Sequence, residues 1–315
     1  MTSASRITSL ANAARSCAPV ARVESRIRDL ITLYRSNSED MPAQVSTFLE
    51  RLRPEEERIA AALGRPVRGL RMLDVGPGPR LSRQAYFAAL GNDVLGVDQD
   101  VVPEGIDPRG YLEVVRTAGP QRLVKTLGRR ALRLDAAFRR ELARQLGVRR
   151  IPSLKVALDD VSQLSLPDAS YDVVYSFSRL QRVREPGAAL SEIARVLRPG
   201  GVAYVSAHLY TSDNGIHDPR IYADDRADIP LWSHLRPAHA HKVQPNTYIN
   251  RLRLAEWKAL YDERLPGAEH VLLQPGRANV ERQMHEIRAD GELLDYSDDE
   301  LVTVDVVALW KKPGA

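Results

Sequence analysis

Two glycines and an acid in the first third of the chain have the types and spacing of a ligand-binding turn. Asp74 follows an apolar run and precedes Gly76 and Gly78, and Ser82 then opens a helical run. Glycines at these positions let the backbone approach a ligand, because no Cβ stands in the way. A helix start adds unpaired N–H groups and a partial positive charge. The pattern predicts a binding site for a nucleotide-like ligand, and the alternative is a plain structural turn.

A second acid ends the next predicted strand. Residues 93–98 are mostly apolar and finish at Asp98, 20 positions beyond Gly78. A carboxylate at this distance, at the end of the adjacent strand, is placed to accept hydrogen bonds from two ribose hydroxyls. The alternative is a surface acid that only ends a strand.

The rest of the chain predicts the strands and helices that would position these residues. Apolar segments predict strands, which alternate with helical patterns, and this alternation predicts a parallel sheet with helices on both faces. The predicted strands cover about residues 70–75, 93–98, 154–158, 173–178, 202–207, 270–273 and 301–310, and the predicted helices 83–90, 186–197 and 255–265.

The predicted domain organisation is a helical cap over residues 1–66 and an α/β domain over 67–315. Helical spacing covers residues 21–36 and 42–51, and a third helix begins at Pro54 and ends by Gly64. The α/β domain carries insertions at about 104–150 and 209–250. The helices are expected to cap the domain, with cover for a substrate site as the alternative.

The two insertions suggest different roles. Residues 104–150 are rich in arginine, which favours a solvated helix pair over a cationic lid for an anionic substrate or a contact with nucleic acid. Residues 209–250 are polar and turn-rich, and such a long connection predicts a substrate lid. His234, His239 and His241 lie in it without an accompanying acid or cysteine pattern, so no metal site is predicted.

Composition limits the class of protein. The 315 residues are 43% hydrophobic and 27% charged, which is typical of a globular protein, and no apolar run reaches the roughly 20 residues of a membrane span. Cys17 is the single cysteine, so a reducing compartment and a cytoplasmic location are expected. The arginines and serines before Glu24 also fit a transit peptide. A net charge of +4 does not by itself imply nucleic acid.

The motifs together resemble the class I S-adenosylmethionine-dependent methyltransferases, in the branch with a small-molecule type methyltransferase domain. The resemblance covers about residues 68–208, and its longest string is Glu192 to Gly201, which fixes the register of the segments before it. It implies a Rossmann-like seven-stranded sheet whose last strand is antiparallel. A nicotinamide-binding Rossmann domain would instead continue with parallel strands.

The resemblance also implies site residues. The first motif covers Asp74, Gly76, Pro77 and Gly78, whose glycines would pass under the methionine and ribose parts of S-adenosylmethionine. Asp98 matches the ribose-binding acid, and Asp160 with Val161 matches the pair beside the adenine. The implied cofactor-binding set is Asp74, Gly76, Pro77, Gly78, Asp98, Gln99, Asp160, Val161 and Ser176.

Two departures from the family pattern bear on activity. Arg80 stands where a third glycine is usual, and Gln181-Arg182 stands where relatives often carry an acid–His or His–His pair. Arg182 could therefore bind an anionic substrate group. His208, just past the fifth strand, is the candidate catalytic base, because the carboxyl edge of an open α/β sheet binds ligands. Tyr210 and His217 are further candidate substrate residues.

Three functions follow from this sequence. The leading hypothesis is methyl transfer to a small-molecule or glycan-like acceptor. The second is a non-catalytic S-adenosylmethionine-binding partner of a biosynthetic complex, suggested by Arg80 and Gln181-Arg182. The third is a nucleic-acid methyltransferase, which Ser176-Phe177-Ser178 disfavours because the Asn/Asp-Pro-Pro-Tyr/Phe motif of the amino-group enzymes is missing there. The oligomeric state is not predicted.

Overall fold

The computed structural model describes residues 40–78, 80–99, 134–218, 220, 229–245 and 247–314. Its strands form one sheet. They are β1 Arg71–Val75, β2 Asp93–Asp98, β3 Lys155–Leu158, β4 Tyr171–Ser176, β5 Leu197–His208, β6 Glu269–Leu273 and β7 Asp305–Lys311. The helices are α1 Met41–Leu63, α2 Ser82–Ala89, α3 Leu134–Gln145, α4 Pro186–Val196, α5 Leu254–Arg264, α6 Arg277–Ala289 and α7 Asp298–Val302.

The order of the strands confirms the predicted fold. The sheet runs β3-β2-β1-β4-β5-β7-β6. Strands β1 to β5 pair in parallel, whereas β7 lies antiparallel between β5 and β6. This is the Rossmann-like seven-stranded arrangement with an antiparallel last strand. Because β7 runs the other way, its first residue lies at the same edge as the last residues of β1, β2, β4 and β5.

Helices cover both faces of the sheet, as predicted. One core contains Leu190 and Ile193 of α4 and Trp257 of α5, packed on the sheet. The opposite core contains apolar residues of α1, α2 and α3, among them Val45 and Phe87. With both faces buried, only the ends of the strands leave polar groups of the sheet accessible to a ligand.

The amino-terminal helices differ from the prediction, because residues 41–63 form one helix rather than two. Pro54 lies inside α1, where it removes one backbone hydrogen bond. The apolar side of α1 continues on both sides of the proline, through Leu49, Leu52 and Ile59, and all three are buried. Burial of this continuous stripe outweighs the cost of the proline. Gly64 ends the helix in a left-handed conformation, where the prediction placed the end.

The last strand also begins later than predicted, since residues 298–302 are helical. Ser297 caps α7: its Oγ accepts a hydrogen bond from the Glu300 N–H at 3.3 Å, and the Glu300 carboxylate accepts one from the Ser297 N–H at 3.1 Å. Three acids in the first turn suit the positive end of this helix. The strand therefore starts at Asp305.

Part of the second insertion packs outside the main sheet. Trp232 is fully buried in a third core with Met284 of α6 and with Leu301 and Val302 of α7. The predicted helix over residues 21–36 and most of the arginine-rich insertion, up to residue 133, lie outside the described residues, and residues 134–145 form α3. Among the described helices, none has the length and apolar character needed to cross a membrane.

Candidate functional site

The glycine turn joins the ends of β1 and β2. Gly76 and Gly78 have φ values of 77° and 68°, a conformation that favours glycine. The Gly76 N–H donates to the Val97 carbonyl at 2.8 Å, which holds the turn beside the end of β2. Helix α2 then begins at Ser82, as predicted. Arg80, at the position of the usual third glycine, is exposed.

Asp74 lies beneath this turn rather than in solvent. Its side chain is buried, and the Tyr175 hydroxyl donates to its Oδ2 at 2.9 Å. Burial raises the pKa of Asp74 to about 7, and the hydrogen bond from Tyr175 and the charge of Arg83 only partly oppose that shift. Asp74 therefore keeps its proton to a higher pH than an ordinary aspartate does.

Asp98 ends β2 with its carboxylate beside the turn. Its side chain is 5% exposed, and Arg179 Nη2 donates to its Oδ1 at 2.8 Å. The neighbouring Gln99 is exposed. The structure thus brings Asp98 and Gly76 together at one edge, and it adds Arg179, which the sequence did not single out.

Pro77 lies within the glycine turn, and the other three predicted cofactor residues lie at the ends of β3 and β4. Asp160 Oδ1 accepts from the Ser162 N–H at 2.8 Å and closes its own turn, and Val161 is buried in the core. The Ser176 hydroxyl is fully buried and donates to the Val75 carbonyl at 2.9 Å, so it ties β4 to β1. Their contacts with a cofactor stay predictions.

His208 lies at the end of β5, directly opposite Asp305 of β7. Its Nδ1 is 3.9 Å from Asp305 Oδ1, and its Nε2 is 3.2 Å from Ser212 Oγ. The Ser212 hydroxyl donates to the Leu209 carbonyl at 2.9 Å, so its oxygen is left to accept from Nε2. We assign the Nε2–H tautomer to the neutral ring from these bonds. In this tautomer Nδ1 carries a lone pair, as a base requires.

His217 stacks against His208, with 4.6 Å between the ring centroids. Arg182 Nη2 lies 3.4 Å from its Nδ1. Burial, and then the charges of His208 and Arg182, lower the pKa of His217 to about 3. Two of the predicted substrate residues therefore meet beside the candidate base, and His217 is neutral in ordinary solution.

Gln181, one of the two departures from the family pattern, has a structural role. Its Nε2 donates to the Ser178 carbonyl at 2.7 Å, and its Oε1 accepts from the His208 N–H at 3.3 Å. It thereby fastens the short 3-10 turn Leu180–Arg182 to the end of β5.

Tyr210, the third predicted substrate residue, is half-buried at the start of the second insertion. The His234 ring packs edge-on against it at 5.0 Å, and His234 Nε2 is 2.7 Å from the Tyr210 carbonyl. Burial lowers the pKa of His234 to about 4. A Cβ on Gly215 would lie 1.9 Å from that same carbonyl, so the chain can fold back here only at a glycine.

Helix α1 contributes to the same edge, which the sequence did not reveal. Glu55 is buried and accepts two hydrogen bonds from Arg83, at 3.2 and 3.3 Å. The Arg83 guanidinium lies 3.3 Å from the ring centroid of Phe177. Burial raises the pKa of Glu55, although the charge and the hydrogen bonds of Arg83 act to lower it. Glu55 and Arg83 are 28 positions apart, so no local sequence pattern indicates their contact. Asp305 was also missed, but pairing an antiparallel last strand with β5 could have placed it beside His208.

Comparison with known proteins finds similarity to methyltransferases. A model of the family described as a methyltransferase domain matches residues 117–205. The chain is 40% identical to malonyl-[acyl-carrier protein] O-methyltransferase of Yersinia pestis over 83 residues, which are 26% of this chain and 30% of that protein. It is 42% identical to a probable S-adenosylmethionine-dependent methyltransferase of Mycolicibacterium smegmatis over 57 residues, 18% and 22% of the two chains. It thus spans less than a third of the length of either relative.

One solved structure that the comparison matches to this chain is phosphoethanolamine N-methyltransferase 2 of Haemonchus contortus in complex with S-adenosyl-L-methionine. The TM-score is 0.45 at 17% identity, over 82% of this chain and 52% of that one.

Proposed function

We propose that this chain, which carries a class I methyltransferase domain, transfers a methyl group from S-adenosylmethionine to a small-molecule or glycan-like acceptor. The observation that carries the proposal is the hydrogen bond from the Gly76 N–H to the Val97 carbonyl, which places a two-glycine turn beside the buried carboxylate of Asp98. Turn and acid lie at the carboxyl ends of adjacent parallel strands, where open α/β sheets bind nucleotide-like ligands.

The residues at this end fit the cofactor. The left-handed turn at Gly76 and Gly78 presents backbone, and no atom outside the turn lies within 4 Å of a Cβ built on Gly78. Asp98 supplies a carboxylate for the two ribose hydroxyls. We place Pro77, Gln99, Asp160, Val161 and Ser176 around the rest of the cofactor, as the family resemblance implies.

The acceptor belongs beside His208. When bound, S-adenosylmethionine would supply an activated methyl carbon for in-line attack by the acceptor, and its sulfur would keep the electron pair of the broken bond. His208 Nδ1 takes the proton that the acceptor loses, and Asp305, 3.9 Å away, stabilises the resulting imidazolium. Arg182, Tyr210 and His217 line the acceptor side, and we assign the second insertion the role of a substrate lid.

Calorimetry with S-adenosylmethionine and S-adenosylhomocysteine tests the cofactor half of the proposal. We expect both to bind with micromolar dissociation constants and NADH not to bind. Absence of heat with either compound at high micromolar concentration, in the wild type and in a variant without Arg179, would refute the proposal.

Transfer of a labelled methyl group to components of a cell extract tests the acceptor half. We expect label in a low-molecular-weight or glycan fraction, and fractionation then identifies the acceptor. Label in RNA or DNA would replace our acceptor class with nucleic acid. Cofactor binding without any labelled product would leave the non-catalytic partner protein as the function.

A further inference from the structure

Arg179 lies across the glycine turn. A Cβ built on Gly76 would be 2.4 Å from Arg179 Cγ and 2.8 Å from its Cδ, so the aliphatic part of the arginine covers the open face of this glycine. Arg179 follows β4 and precedes the turn Leu180–Arg182, and its side chain is only 18% exposed. The arginine therefore occupies the space in which the cofactor would contact the turn.

The guanidinium end of the same side chain holds Asp98. Its Nη2 donates to Asp98 Oδ1 at 2.8 Å, and the Asp98 side chain is 5% exposed. Charge-assisted hydrogen bonds are roughly twice as strong as neutral ones, and water screens a pair this buried only weakly. Asp98 is also the acceptor that we assign to the ribose hydroxyls. One side chain thus covers the glycine and binds the carboxylate that the cofactor requires.

We propose that Arg179 is a determinant of cofactor affinity, because it competes with the ribose hydroxyls for Asp98 and must leave the Gly76 turn when the cofactor binds. This inference rests on the proposed function. A ligand that binds only the open arrangement has its affinity reduced by the fraction of molecules in that arrangement. Loss of one charge-assisted hydrogen bond shifts such an equilibrium by about tenfold or more.

The test is calorimetry with S-adenosylhomocysteine on the wild type and on Arg179→Ala and Arg179→Met. Alanine removes the whole competitor, whereas methionine keeps an apolar stem and removes only the charge. Arg184→Ala is the matched control, since Arg184 is a nearby exposed arginine that stacks on Tyr248 with its guanidinium carbon 4.7 Å from the ring centroid. Thermal melts establish that each variant is folded.

We expect Arg179→Ala and Arg179→Met to bind S-adenosylhomocysteine about tenfold more tightly than the wild type, and Arg184→Ala to bind as the wild type does. Binding by the Arg179 variants alone would support the inference most strongly. Unchanged or weaker binding in both variants would overturn it, and weaker binding would make Arg179 a ligand of the cofactor, for example of its carboxylate. If no folded form binds, the proposed function fails, and this inference fails with it.

Discussion

Along the edge of the sheet where β1, β2, β4 and β5 end and β7 begins, two groups of residues bury opposite kinds of titratable side chain. We call the part with Asp74, Gly76 and Asp98 the cofactor end, and the part with His208, His217 and Asp305 the acceptor end. At the cofactor end, burial raises the pKa of Asp74 to about 7, and at the acceptor end it lowers that of His217 to about 3. The cause is the same in both cases, because a dry environment disfavours the charged form of an acid and of a base alike. At moderately acidic pH both groups are neutral in the folded protein.

The ends also differ in how they are assembled. The cofactor end depends on one local turn and the end of the neighbouring strand, so Asp74, Gly76 and Asp98 have a short-range pattern. The acceptor end joins His208 to Asp305, almost a hundred positions away, through the antiparallel register of β5 and β7. If each end has the role that we propose, substitutions will separate cofactor binding from methyl transfer.

Asp98→Ala tests the cofactor end and has the largest expected effect. Two hydrogen bonds from ribose hydroxyls to a charged acceptor are lost, so affinity for S-adenosylhomocysteine falls by about 1000-fold. Calorimetry measures this directly. Asp93→Ala is the control, because Asp93 begins the same strand and its side chain is 59% exposed, paired with Lys155 at the other edge. Equal affinities in the two variants would remove Asp98 from the cofactor site.

His208→Asn tests the acceptor end, and it should leave the cofactor end unchanged. Removal of a general base lowers the rate of labelled methyl transfer by about 100-fold at saturating cofactor. Affinity for S-adenosylhomocysteine stays within about twofold, because His208 lies at the other end of the edge. His270→Asn on β6, whose ring is 3.1 Å from Asp262, is the control and retains activity. Turnover in His208→Asn equal to that of the wild type would exclude His208 as the base.

The sequence predicted the fold and the position of the glycine turn for one physical reason: both depend on short-range patterns. Strand–helix alternation fixes a parallel sheet, and glycine at positions 76 and 78 marks a turn that needs positive φ. Arg179, by contrast, has no signal of this kind. Nothing in its neighbours along the chain indicates that its side chain turns back over Gly76.

The errors in the helices have a related cause. Pro54 predicts a helix boundary when only local preferences are considered, but the buried stripe of α1 continues across it. Residues 298–302 look like the start of an alternating strand, yet the Ser297 capping box makes them a helix. In the first case tertiary packing outweighs the local preference, and in the second a local cap outweighs an apparent periodicity.

Asp74→Asn tests the burial of the acid through its effect on stability. Because the pKa of Asp74 is about 7 in the fold and 3.8 for an ordinary aspartate, the folded state holds a proton that the unfolded state has lost between these values. The free energy of unfolding of the wild type therefore falls as pH rises from about 4 to 7 and is level above.

We expect Asp74→Asn to lack this fall, and so to gain about 2 kcal/mol on the wild type between pH 5 and pH 8 in urea unfolding. Asparagine can still accept the Tyr175 hydrogen bond. Asp168→Asn, at a side chain that is 77% exposed, is the control and should follow the wild-type profile. Parallel profiles for Asp74→Asn and the wild type would show that Asp74 ionises as an ordinary carboxylate.

His217→Asn tests burial at the acceptor end, where we expect the opposite dependence of the free energy of unfolding on pH. His217 has a pKa of about 3 in the fold against 6.5 for an ordinary histidine, so between these values the unfolded state binds the extra proton. Its contribution to stability is fully present above pH 6.5 and is lost as pH falls towards 3. Asparagine cannot be protonated there, and it tolerates the positive φ of 56° at this position.

We expect His217→Asn to lose about 1 kcal/mol less than the wild type between pH 6.5 and pH 5, whereas His241→Asn, at an exposed histidine, follows the wild type. Asp74→Asn and His217→Asn should thus alter the pH profile in opposite directions, one as pH rises towards 7 and the other as it falls below 6.5. If both variants changed the pH dependence of unfolding in the same direction, burial could not explain both pKa shifts. Charge pairing would then have to explain the shift at one of the two ends.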